Sequence, residues 1–127
     1  MPDDITITPA SLTSTSLIAA DKVTGTSVYN LAGEKLGSVE NIMIDKASGR
    51  AIYAVMSFGG FLGMGEGHHA LPWSTLKYSH DKGGYVVDLD KDRLINAPVH
   101  DDGDDFMWTP EYGRRIDGYY NAPMMWF

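Results

Sequence analysis

Three short turns set the strongest limit on what this chain can become. Each puts Gly a few residues after Asn or Asp: Asn30-Leu31-Ala32-Gly33, Asp45 through Gly49, and Asp81-Lys82-Gly83. That spacing predicts a type I turn closed by a residue at positive φ, which Gly adopts without steric cost. The segments between the turns read as strands. Ser27-Val28-Tyr29 leads into the first turn, Leu36 to Asp45 follows it, and Ala51 to Phe58 is a third strand rich in β-branched and aromatic residues. Tyr78 to Leu89 repeats the pattern around His80-Asp81-Lys82-Gly83-Gly84. Short strands at such regular spacing are the grammar of a sandwich or barrel.

The second strand contains a phase break. Val39 and Ile42 are three apart, whereas Ile42 and Ile44 alternate. If all three face the core, one extra residue near Glu40-Asn41 must be absorbed as a bulge, and bulges bend sheets toward closure. The expected fold is therefore mainly β: a small bulged antiparallel β-barrel with a short C-terminal helix and an aromatic tail. Its expected core is Val28, Leu36, Val39, Ile42, Ile44, Ile52, Ala54, Met56, Leu71, Trp73, Leu76, Val86 and Leu89. Both faces of the third strand are largely apolar, so one of them calls for a cover, either the tail or a second subunit.

The barrel is expected over residues 17–100. Residues 1–16 are rich in Thr, Ser and Pro and read as a flexible arm. Residues 101–127 read as an acidic loop, a short helix and an apolar tail. Thr109-Pro110-Glu111 is a helix start: a hydroxyl N-cap, Pro at the first position and an acid at the positive end of the dipole. Tyr112, Ile116, Tyr119 and Tyr120 then fall on one helical face. Gly113 and Gly118 weaken that helix, so it needs a surface to pack on. Ala122-Pro123-Met124-Met125-Trp126-Phe127 is too apolar to sit free in water.

At 127 residues the chain can bury one core without staples. It has no Cys, which excludes a disulfide scaffold and thiol chemistry and suits a reducing cytoplasm. The start, Met-Pro-Asp-Asp, carries acid where a secretory leader carries base, and no apolar run is long enough to span a bilayer. A net charge of −7 repels phosphate backbones, so no nucleic-acid partner and no direct membrane insertion are expected.

No constellation points to catalysis, and no enzyme is expected. There is no Gly-x-Ser-x-Gly elbow and no Gly-Lys-Ser/Thr phosphate loop. The Gly59–Gly67 stretch follows a strand but precedes His68-His69-Ala70-Leu71-Pro72-Trp73, which is strand-like, so a dinucleotide fingerprint fails. That loop reads as a flexible connection whose Phe61, Leu62 and Met64 fold over the barrel, or else as a binding loop with an exposed apolar tip. Adjacent His68 and His69 point to opposite strand faces and with His80 and His100 read as surface or edge histidines. Asp88, Asp90 and Asp92 imitate the start of a calcium loop, but Arg93 stands where Gly is required and Val99 where the closing Glu belongs. The Asp101-Asp102-Gly103-Asp104-Asp105 run lacks that Glu as well and reads as a solvated acidic loop. Arg114-Arg115 reads as snorkelling or pairing with that acidic stretch. No metal and no cofactor are expected.

The order of pieces resembles the PRC-barrel family, the β-barrel of the photosynthetic reaction-centre H subunit and of ribosome maturation factors. The residues that carry the resemblance are Asp21-Lys22-Val23-Thr24-Gly25, Val28-Tyr29-Asn30, Gly33-Glu34-Lys35-Leu36-Gly37-Ser38-Val39, Ile44-Asp45, Gly49-Arg50-Ala51-Ile52-Tyr53-Ala54-Val55, Gly59-Gly60-Phe61-Leu62-Gly63 and Leu71-Pro72-Trp73. The acidic-then-aromatic tail looks like that of stand-alone bacterial members. The resemblance implies a protein-interaction or scaffold module with no catalytic motif to carry over. Neither a membrane helix nor an accompanying N-terminal domain is expected, so the resemblance does not carry over the reaction-centre or ribosome role. The expected partner is a protein, with a homodimer foremost. The expected contact residues are Phe61, Leu62, Met64, Tyr119, Tyr120, Met125, Trp126 and Phe127. The alternative is a small-ligand or metal sensor using residues 59–69.

Overall fold

The computed structural model describes residues 16–58, 67–98 and 108–126. A single helical turn, α1 (Ala20–Val23), precedes β1 (Ser27–Tyr29), β2 (Lys35–Ile44), β3 (Ala51–Phe58) and β4 (Gly67–Pro72). A 3₁₀ turn at Trp73–Thr75 leads into β5 (Lys77–Ser79) and β6 (Gly84–Val86), followed by α2 (Lys91–Ile95) and α3 (Pro110–Tyr119).

All three predicted turns form. Gly33, Gly49 and Gly83 have φ of +87°, +76° and +63°, the left-handed region in which a Cβ is costly. The preceding side chains hold the loops: Asn30 Oδ1 accepts from the Glu34 amide at 2.9 Å, and Asp45 Oδ2 accepts from the Ser48 amide at 3.0 Å.

The strands form one six-stranded sheet in the order β4-β3-β2-β1-β6-β5. It is mixed, because β1 and β6 run parallel, with Val28 opposite Tyr85 and Tyr29 opposite Val86. It is not closed either, since no ladder joins β4 to β5 among the described residues. Both points correct the expected all-antiparallel closed barrel. The sheet nevertheless curls strongly. Its two edge strands are consecutive in the chain, and Pro72 to Lys77 can reach at most roughly 17 Å. Laid flat, five strand spacings would hold those edges roughly 24 Å apart. The 3₁₀ turn thus bridges a seam that backbone pairing leaves open.

The predicted bulge is present. Val39 pairs with Met56 and Asn41 with Val55, which leaves Glu40 as the extra residue, exposed. A second register shift falls between Met43 and Ile44. It re-phases the strand at its end, and Ile44 is 47% exposed, not core as expected. Val86 also leaves the expected core. Tyr85 packs edge-to-face on Tyr78 and Trp73, so Tyr85 and Val87 take the buried face and Val86 the other. Val28, Leu36, Val39, Ile52, Ala54, Met56, Leu71 and Leu76 are buried as expected, with Ile42, Trp73 and Leu89 packed partly against them.

Candidate functional site

Strand β3 is buried on both faces: Ile52, Ala54 and Met56 on one, Tyr53 and Val55 on the other. The cover called for by that second face is α3 with the tail of the same chain. Helix α3 starts where predicted. Thr109 Oγ1 accepts from the Tyr112 amide at 3.2 Å, and Pro110 occupies the first turn. Ile116 and Tyr120 are buried, and Tyr112 and Tyr119 pack partly against the core. The helix ends in a Schellman arrangement. Asn121 sits at φ +53°, its amide donates to Gly118 O, and the Ala122 amide donates to Asp117 O. That reversal brings Trp126 back over the helix it has just left.

The centre of this packing is Tyr53. Its ring stacks on Trp108 at 5.2 Å and meets Trp126 edge-on at 6.3 Å. Trp108 in turn meets Tyr112 at 5.1 Å. The Tyr53 hydroxyl donates to Asp117 Oδ2 at 3.2 Å. Asp117 is only 4% exposed. Burial pushes its carboxyl pKa above the usual value, and the Tyr53 hydrogen bond pulls the other way. Burial, and next the Asp117 charge, push the Tyr53 phenol up. Gly113 lets the helix approach: a Cβ there would lie 2.7 Å from Tyr53 Oη and 3.0 Å from Trp126 Cε3.

Around this seat Met43, Ile44, Asp45, Ile52, Tyr53, Trp108 and Trp126 line a shallow cleft of about 70 Å³. It is mostly apolar and far smaller than the ~300–1,000 Å³ of small-molecule sites. Met124 and Met125 stand exposed beside it in sequence. The opposite end of α3 is clasped to α2. Arg93 Nη2 donates to Tyr119 O, Tyr119 Oη donates to Arg93 O at 2.6 Å, and the guanidinium lies 4.1 Å from the Tyr119 ring centre.

The residues expected to meet a partner are therefore divided. Tyr119 is engaged in the clasp. Tyr120 is buried, its hydroxyl without a hydrogen-bond partner among the described residues. Trp126 packs on its own chain, and Met125 is exposed. Phe61, Leu62, Met64 and Phe127 lie outside the described residues, as do His100, the Asp101–Asp105 run and nearly all of the expected arm.

The remaining polar candidates resolve into structure. Asp90 is the N-cap of α2, its Oδ1 accepting from the Arg93 amide at 2.8 Å. His69, expected at the surface, is fully buried, with Nδ1 3.2 Å from Pro98 O. The strand's two-residue period puts it on the inner face and leaves His68 half-buried. His80 is exposed, and its ring lies against Tyr78. Arg114 and Arg115 are exposed on α3. Among the described residues no three His, Cys, Asp or Glu side chains gather as metal ligands. Asp117 and Tyr53 escaped the sequence reading. The only available signal was the two-sided apolarity of β3.

No helix among the described residues is long and apolar enough to cross a membrane. No curated protein matches the chain. The model of the PRC-barrel domain matches residues 16–94, from the start of the described chain into α2, and so encloses the whole curled sheet. With more than half its length in that match, the chain belongs to the PRC-barrel domain family.

Proposed function

We propose that this chain is a non-catalytic protein-interaction module of the PRC-barrel type whose partner is a second copy of itself. The observation that carries the reading is the seat of α3. The chain covers the second face of β3 with its own helix, and an apolar border of Met43, Ile44, Trp108 and Trp126 remains around a cleft too small for a metabolite. Met124 and Met125, just before Trp126 in the chain, are exposed and offer side chains that adapt to a facing surface. Tyr53 and Asp117, whose pKa values are both raised, bond to each other inside the packing. That arrangement is structural, and it supports a binding role over a reaction. The absence of Cys suits work in a reducing compartment such as the cytoplasm.

Light scattering coupled to size exclusion tests this. The native chain should run with the mass of a dimer at micromolar concentration. The double variant Ile44→Asp, Met125→Asp should run as a monomer with an unchanged far-ultraviolet circular dichroism spectrum. A native chain that stays monomeric across the concentration range overturns the reading.

A further inference from the structure

Residues 16–18, the 3₁₀ turn and the β5–β6 hairpin line a larger opening than the helix seat does. This groove measures about 470 Å³, within the ~300–1,000 Å³ of small-molecule sites. Trp73, Tyr78 and Tyr85 give it aromatic walls, and Leu17, Ile18, Lys77 and His80 complete much of the lining. Tyr85 meets Trp73 at 5.4 Å and 66°, and Tyr78 at 5.3 Å and 80°. The rings thus form a folded wall that offers a planar guest both a face and an edge. The polar groups here are uncommitted. Tyr85 is only 4% exposed, yet its hydroxyl, like that of Tyr78, makes no hydrogen bond among the described residues. A buried phenol ordinarily has such a partner. Burial, and next the charge of Tyr78, raise the Tyr85 pKa, so this hydroxyl remains a donor at neutral pH. Lys77 is exposed and forms no ion pair among the described residues.

We propose that this groove is a binding site for a small planar aromatic carboxylate. Shape and charge both favour that ligand. A flat apolar ring can stack on one wall and present its edge to another, as the rings of the groove already do to each other. The charge of the lining is the reverse of the chain's. The whole protein carries −7, yet none of the described lining residues is acidic, and Lys77 is cationic. The Lys77 ammonium and the Trp73 indole N–H are donors only, and both phenols can donate. Donors without a facing carboxylate complement an anion and leave a cation unpaired. A single lysine matches a single negative charge. It falls short of the several cationic or main-chain donors that a phosphate group collects. The aromatic walls then select a ring over an aliphatic chain of the same charge.

Isothermal titration calorimetry of the full-length chain with 2-naphthoate tests the proposal. The controls are 2-naphthalenemethanol and 2-naphthylmethylamine, which carry the same ring with a neutral and a cationic group. The carboxylate should bind about tenfold more tightly than either control. Lys77→Gln should remove most of that preference and leave the affinity for the alcohol unchanged. Tyr85→Phe keeps the ring, loses the donor, and should weaken 2-naphthoate severalfold. Unchanged far-ultraviolet circular dichroism spectra establish that both variants fold. Absence of binding, equal affinity for the three probes, or tighter binding of the amine overturns the proposal. So does 2-naphthoate binding that survives both substitutions, because it would then lie elsewhere on the protein. Ile44 and Met125 do not line this groove, so this test and the dimer test can fail separately.

Discussion

Asp117 and Tyr53 form a buried pair in which one partner carries a charge that burial disfavours. The phenol donates to Asp117 Oδ2 at 3.2 Å, and a charge-assisted bond of this kind is about twice as strong as a neutral one. Tyr53→Phe removes the donor and leaves the carboxylate buried. It should lower unfolding free energy by about 1–3 kcal/mol, read from urea denaturation. Asp117→Asn keeps an oxygen acceptor for Tyr53 without the charge and should stabilise the protein at neutral pH. The pH dependence has a definite sign. Burial raises the native pKa of Asp117 above its ordinary value. Between those two values the native state therefore binds more protons than the unfolded chain, and this residue's contribution to stability falls as pH rises. The stability difference between Asp117→Asn and the native chain should accordingly grow from the ordinary carboxylate range upward and level off above the raised pKa. A difference that does not change with pH would contradict the burial of the charge. No sequence signal marked this pair, because the two residues are far apart in the chain and meet only when α3 docks.

Helix α3 shows how far local sequence rules reach. Its N-cap, its first-turn Pro and its Tyr112, Ile116, Tyr119, Tyr120 stripe were all readable, since capping and helical period are properties of neighbouring residues. Its two glycines look alike in the sequence and differ in the fold. At Gly118 a Cβ would meet nothing within 4 Å, whereas at Gly113 it would press on Tyr53 and Trp126. Gly118→Ala should therefore stabilise by about 0.5–1 kcal/mol, the gain in helix propensity. Gly113→Ala should destabilise despite the same intrinsic gain, because the Tyr53 ring is held between Trp108 and Trp126 and cannot yield. Thermal melts of the two variants decide it: shifts of opposite sign are expected, and a shared rise would show that the helix is not seated on β3. At β2 the reading was mixed for a physical reason. The bulge at Glu40 leaves a mark in hydrophobic phase. The later shift at Met43/Ile44 lies at the strand end, where no further alternation remains to reveal it.

Across the whole molecule the curled sheet depends on the parallel contact between β1 and β6, made close at Gly84. A Cβ there would fall 2.5 Å from Ser27 O, a backbone atom that cannot move without breaking the ladder to β2. Gly84→Ala should cost roughly 1–3 kcal/mol in urea denaturation, and wild-type stability would contradict the strand order. The sequence alone determined the turns, the bulge, the helix with its cap, and the family, because each is written in residues a few places apart or in their order. It also required some cover for the outer face of β3. Which strands became edges, which way β6 ran beside β1, which segment supplied the cover and which of two adjacent histidines went inside were decided only by tertiary structure. Those outcomes depend on how elements distant in the chain share one curled sheet, and no local pattern encodes that.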